Sequence, residues 1–219
     1  MGIGLLKIVN RNQNNNKWTT GIMNNFLSNI KRSIVDATKV GDVFILVFKN
    51  ETGVRKIAHH ALLVDVAGAS SEVYLRGVLL HLTARATTRK SKFRFGDKSR
   101  RRNIFYEIVY IGKIVPPIHI HSTKPREWAC SLIMLGNEVF DELTNNETDT
   151  IWSSSINCQI FCKVLLQRFG FQWPTDLPCI DDDTVPIIVD LSIAFISSTA
   201  RKHKKTVDHD DSDNTTDDE

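Results

Sequence analysis

Four apolar runs of strand length, joined by connections mostly too short for a crossover helix, restrict this chain more than any other feature. They are residues 43–48 (VFILVF), 57–66 (IAHHALLVDV), a segment near 72–82, and 104–114. Gly41-Asp42 leads into the first, a turn with Asn50 and Gly53 joins it to the second, and residues 68–71 join the second to the third. Parallel neighbours need a crossover of about a dozen residues, so antiparallel pairing follows. After Pro116-Pro117 the period changes. Trp128, Leu132, Leu135, Val139 and Leu143 recur at helical spacing, and a second helix runs from Cys158 to Phe169 with Gly170 as its stop. Ile22, Phe26, Ile30 and Ile34 predict a further amphipathic helix over 20–37. Strands grouped between helices make an α+β fold, an antiparallel β-sheet or half-barrel packed with helices.

Composition agrees with a folded domain. Of 219 residues, 42% are hydrophobic and 24% charged, which excludes wholesale disorder and fibrous architecture. Four cysteines do not make a disulfide scaffold. No run of eighteen uncharged apolar residues exists, and residues 1–16 turn polar too early for a secretory signal. A reducing, cytoplasmic setting is the default expectation. Attachment to the periphery of a membrane and nuclear import through short basic clusters are its alternatives. The organisation expected is an extension with the amphipathic helix (1–40), an α+β domain (41–180), an apolar segment (181–200), and a basic then acidic tail (201–219).

Charge is unevenly distributed. Residues 208–219 hold seven Asp/Glu and no Lys or Arg, directly after the basic Arg201-Lys-His-Lys-Lys205. Residues 85–102 hold nine Lys/Arg against Asp97 alone. Such a run reads as a solvated loop or hairpin, or as a strand with one basic and one apolar face, since Phe93 and Phe95 alternate with Lys92 and Arg94. An ordinary solvated surface is the first expectation for it, with docking on an anionic membrane surface as the alternative. Nucleic acid is disfavoured, because no binding motif of defined spacing is present. The apolar stretch 185–200 is too short to span a bilayer and carries Asp190; with its basic flank it suits a buried element or a peripheral anchor.

One side chain stands out chemically. Cys158 ends the polar turn Ser153-Ser-Ser-Ile-Asn157 and opens a helix. There the positive end of the helix dipole favours a thiolate, and unpaired N–H groups suit a developing oxyanion. Cys130, Cys162 and Cys179 read as small buried hydrophobes. Cys158 and Cys162 lack a second ligand pair of recognisable spacing, so neither a metal nor a cofactor is expected. A nucleophilic thiol needs a base. His203 and His209 belong to the tail, and His119 and His121 flank a proline-containing connection. His59 and His60 open an apolar strand, where alternation sends them to opposite faces, His59 with Ala61 and Leu63, His60 with Leu62 and Val64.

Taken together, Gly41-Asp42-Val43, His59-x-Ala61-Leu62-Leu63, Gly77-Val-Leu-Leu-His81 and Asn157-Cys158-Gln159-x-Phe161 resemble the lecithin–retinol acyltransferase-like family. That family is a circularly permuted branch of the papain-like (NlpC-type) thiol enzymes, and the resemblance covers about residues 41–170. The Asn-Cys-Gln variant is also similar to uncharacterised fungal proteins with a His-Trp-Ala-Leu-Leu-Val strand. The resemblance implies Cys158 as nucleophile, His59 as its base, and His81 as the group that orients the imidazole. It implies acyl transfer or hydrolysis on a glycerophospholipid or similar lipid ester, through an acyl-thioester. A peptidase, isopeptidase or amidase on the same scaffold, or an inactive interaction protein, are the alternatives. The sequence departs from the family pattern in a longer His59–His81 spacing, in His60 at a position often aromatic, which leaves His60 open as the base, and in Gln159 and Ile160 after the cysteine.

Overall fold

The computed structural model describes residues 30–49, 53, 57–84, 88–116, 124–145, 147 and 150–179. Five strands, β1 (Asp42–Phe48), β2 (His60–Asp65), β3 (Tyr74–Ala84), β4 (Ser91–Arg101) and β5 (Phe105–Lys113), form one antiparallel sheet in the order β4-β3-β2-β1-β5. Two helices follow, α1 (Pro125–Leu143) and α2 (Cys158–Arg168). The architecture is α+β, as the short connections require. Among the described residues, no helix is long and apolar enough to cross a membrane.

β1 and β2 are buried along nearly their whole length, which is why they read as continuous apolar runs rather than as alternation. Their side chains divide between two clusters. Val43, Ile45 and Val47 of β1, with Leu62 and Val64 of β2, meet Trp128, Leu132 and Val139 of α1 and Phe161, Cys162 and Leu165 of α2. Phe44, Leu46, Ala61, Leu63, Leu75, Leu79 and Phe105 pack on the opposite face. Gly41, at φ +87, opens β1 where a Cβ would lie 2.0 Å from the Ile114 carbonyl oxygen, so only glycine fits that approach.

Residues 91–101 of the basic run form a strand. β4 pairs with β3 without a break from Tyr74↔Arg101 to Ala84↔Ser91. Phe93 is buried against Phe161, with ring centroids 5.5 Å apart, while Lys92 and Arg94 are exposed. The amphipathic helix expected over 20–37 is a different matter. Residues 20–29 lie outside the described residues, and 30–40 form bends and turns instead of helix. The reason is local competition: the Asp36 carboxylate accepts from the Thr38 amide at 2.9 Å and its hydroxyl at 2.6 Å, and Val35 N–H donates to the Ala67 carbonyl. Ile30 still reaches the helix-side core. The segments 181–200 and 201–219, with His203 and His209, and the connection bearing His119 and His121 lie outside the described residues.

Candidate thiol and histidine site

α2 begins where the sequence places it because Asn157 caps it. The Asn157 Oδ1 accepts from the Gln159 amide at 2.9 Å and the Ile160 amide at 3.0 Å, while its Nδ2 donates to the carbonyls of Ser153 and Ser154. Asn157 is fully buried, so this cap also fixes the preceding turn. Two of the N–H groups expected to hold an oxyanion are thereby occupied by the protein itself.

Cys158 follows the cap, 3% exposed. Its Sγ accepts from the backbone N–H of His60, 3.5 Å away across 98 residues of sequence. Burial pushes the thiol up to about 12, although the N–H groups of His60, Cys158 and Gln159 pull in the other direction. The helix N-terminus alone therefore does not yield a thiolate; desolvation outweighs it. Cys162, one turn deeper, is driven upward by burial as well. Cys130 and Cys179 are half-buried free thiols rather than core residues.

A second polar contact tethers the helix start to β2. The Gln159 side chain, fully buried, donates through Nε2 to the Ala58 carbonyl at 3.4 Å. The same carbonyl lies 2.8 Å from His60 Nδ1. A carbonyl only accepts, so Nδ1 carries the hydrogen, and in the neutral ring Nε2 is the lone-pair nitrogen. The His60 ring is fully buried on the α2 side of the sheet, with its centroid 6.0 Å from that of Trp173. Gln159 and Trp173 are contributors the sequence reading did not assign. A glutamine inside an apolar helix stripe was the available signal for the first.

His59 and His81 meet on the other side. His59 Nε2 lies 2.7 Å from His81 Nδ1, and the rings are edge-on with centroids 4.9 Å apart. The β2–β3 register, Leu62↔Leu80, explains this: continued by one pair it sets His81 opposite Ala61, diagonal to His59 on the same face. The longer sequence spacing is taken up by the turn between the strands. There the buried Asp65 carboxylate accepts from the amides of Ala67, Ala69 and Ser70 at 2.7–3.2 Å. His59 is half-buried and also packs on Phe48. Burial, then the neighbouring His81 and His60, hold it well below the ordinary histidine range, so it is neutral at pH 7.

The structure thus unites the residues singled out, in two halves. His59 and His81 are hydrogen-bonded on one face. Cys158 lies on the other, against the backbone N–H of the next residue, His60. Among the described residues no hydrogen bond joins Cys158 to the His59 ring, and no group of three or more His, Cys, Asp or Glu is placed to hold a metal ion. No protein-family model, no curated protein and no solved structure matches the chain.

Proposed function

We propose that the chain is a cysteine-dependent acyl-transfer or hydrolytic enzyme with Cys158 as nucleophile and the His59–His81 pair as its base. The scaffold is read as permuted papain-like, resembling the lecithin–retinol acyltransferase-like family, and the substrate as a lipid ester or related acyl donor. The basic strand β4 is read as its contact to an anionic membrane surface. The observation that carries the proposal is the convergence at the start of β2: the His60 amide is 3.5 Å from Cys158 Sγ, and the preceding residue's imidazole is 2.7 Å from His81. A thiol and two imidazoles, distant in sequence, are brought to adjacent residues of one strand, on its two faces.

In this reading Cys158 rests as a neutral thiol. An imidazole removes its proton as sulfur attacks the carbonyl carbon, the carbonyl π electrons move onto oxygen, and an anionic tetrahedral adduct forms. Collapse breaks the bond to the leaving alkoxide, which takes the proton back from the imidazolium. Water or an amine then attacks the acyl-thioester under the same base, and the thiol is regenerated. His59, held neutral, is in the protonation state a base needs, and the chain must rearrange locally to bring it to the thiol from the opposite face. His60 is the other candidate, already on the Cys158 side. The test is release of fatty acid from phospholipid vesicles. Wild type should be active and Cys158→Ser inactive; full activity in Cys158→Ser overturns the reading.

One observation favours a second reading, a catalytically silent interaction protein: Cys158 is 3% exposed and its thiol is pushed up to about 12. In that case the buried sulfur packs the core, and function resides in the charged segments.

A further inference from the structure

Pairing of β4 with β3 turns a run of basic residues into an ordered row. The register is continuous, so Lys92 stands opposite Thr83, Arg94 opposite His81, Lys98 opposite Gly77 and Arg100 opposite Leu75. Positions 92, 94, 98 and 100 therefore share one face, the face of Leu75, Leu79 and His81, while Phe93 turns to the helices. Lys92 and Arg94 are exposed. From 92 to 100 the row is about 27 Å long at the usual rise per residue. β4 is also an edge of the described sheet. Such a surface calls for an extended polyanion with acidic groups at a similar pitch.

The chain contains one. Residues 208–219 (DHDDSDNTTDDE) carry seven carboxylates, with Asp208, Asp210 and Asp211 then Asp213 and a final trio at 217–219. Extended, twelve residues reach about 40 Å, enough to cover the row. Twenty-eight residues, 180–207, separate this segment from Cys179, the last described residue. A stretch of that length spans at most about 95 Å, so chain length permits the segment to reach β4.

We propose that the acidic segment 208–219 docks on the basic face of β4, within the same molecule, and competes with external anions for it. The contact does not depend on the thiol chemistry, because it is a property of charge placement alone.

The test uses the full chain. Two forms are compared with wild type: one with Asp208, Asp210, Asp211, Asp213, Asp217 and Asp218→Asn and Glu219→Gln, the other with Lys92→Glu and Arg94→Glu. Backbone amide shifts are followed by NMR, and heparin serves as the external polyanion. In 50 mM salt the amides of 90–102 should differ between wild type and the neutralised form, and the difference should vanish at 500 mM salt. The neutralised form should bind heparin about ten-fold more tightly than wild type at low salt. In the β4 variant the amides of 208–219 should shift toward their high-salt positions. Unchanged β4 amides together with equal heparin affinity overturn the proposal. Shifts that scale with protein concentration also overturn it, by assigning the contact to a second copy.

Discussion

The two faces of the sheet handle their histidines in opposite ways. On the helix side, His60 sits in the core with Trp173, beside a thiol that burial has silenced. On the other side, His59 and His81 are half-buried, bonded to each other, and bordered by exposed cations of β4. One strand, β2, supplies both environments because consecutive residues point opposite ways. A thiol and an imidazole pair are thus kept apart by one peptide unit, the thiol dry and protonated, His59 half-buried and neutral.

The largest effects should come from breaking the helix side. Phe161 is fully buried and stacks near Phe93, so Phe161→Ala should cost about 3–5 kcal/mol in urea unfolding. Phe93→Ala should fall in the same class, whereas Lys92→Ala, its neighbour on the outer face, should stay within about 0.5 kcal/mol. Equal costs for that adjacent pair would mean that the two faces of β4 are not distinct. Gly136→Ala sharpens the same point. Its Cβ would lie 2.5 Å from the Phe93 ring, so overpacking of about 1–3 kcal/mol is expected despite the better helix former.

Asn157→Ala removes the cap and its buried turn contacts, and about 1–2 kcal/mol should be lost. The histidine side should show itself through pH. His59 is held well below its unfolded value near 6.5, so the unfolded chain binds the extra proton. Its contribution is therefore intact above about pH 6.5 and is lost as pH falls from there toward the depressed folded value, by at most about 1.4 kcal/mol per pH unit. His59→Gln should flatten that slope in stability curves measured between pH 7 and pH 5. An unchanged slope would remove His59 from the account.

Much of this architecture was legible in the sequence, for definite reasons. The strands around 43–48 and 57–66 announced themselves by unbroken apolar runs, and both helices by their periodicity. Cys158 stood out by following a polar turn, and the observed Asn157 cap explains the boundary. The basic strand was ambiguous, because charge repulsion argues for a loop while the Phe93/Phe95 alternation argues for pairing; partnership with β3 decided it. The amphipathic pattern over 20–37 was misleading at its described end, since a single Asp36 side chain satisfies the local backbone more cheaply than helix does. The spatial relation of Cys158 to the histidines was not legible. It depends on which side of β2 receives α2, and the alternation of His59 and His60 alone does not choose a side.

The central claim is that Cys158 is a nucleophile whose proton is removed by an imidazole from the start of β2. Its most direct test is mass spectrometry of the intact protein after brief exposure to an activated acyl ester, across pH 5–9, for wild type, Cys158→Ser, His59→Ala and His60→Ala. The account predicts one acyl group on Cys158 in wild type, none in Cys158→Ser, and acylation slowed by about a hundred-fold or more in one of the two histidine variants. Acylation of Cys158 at the same rate in both histidine variants, or no acylation of Cys158 at any pH, would contradict it.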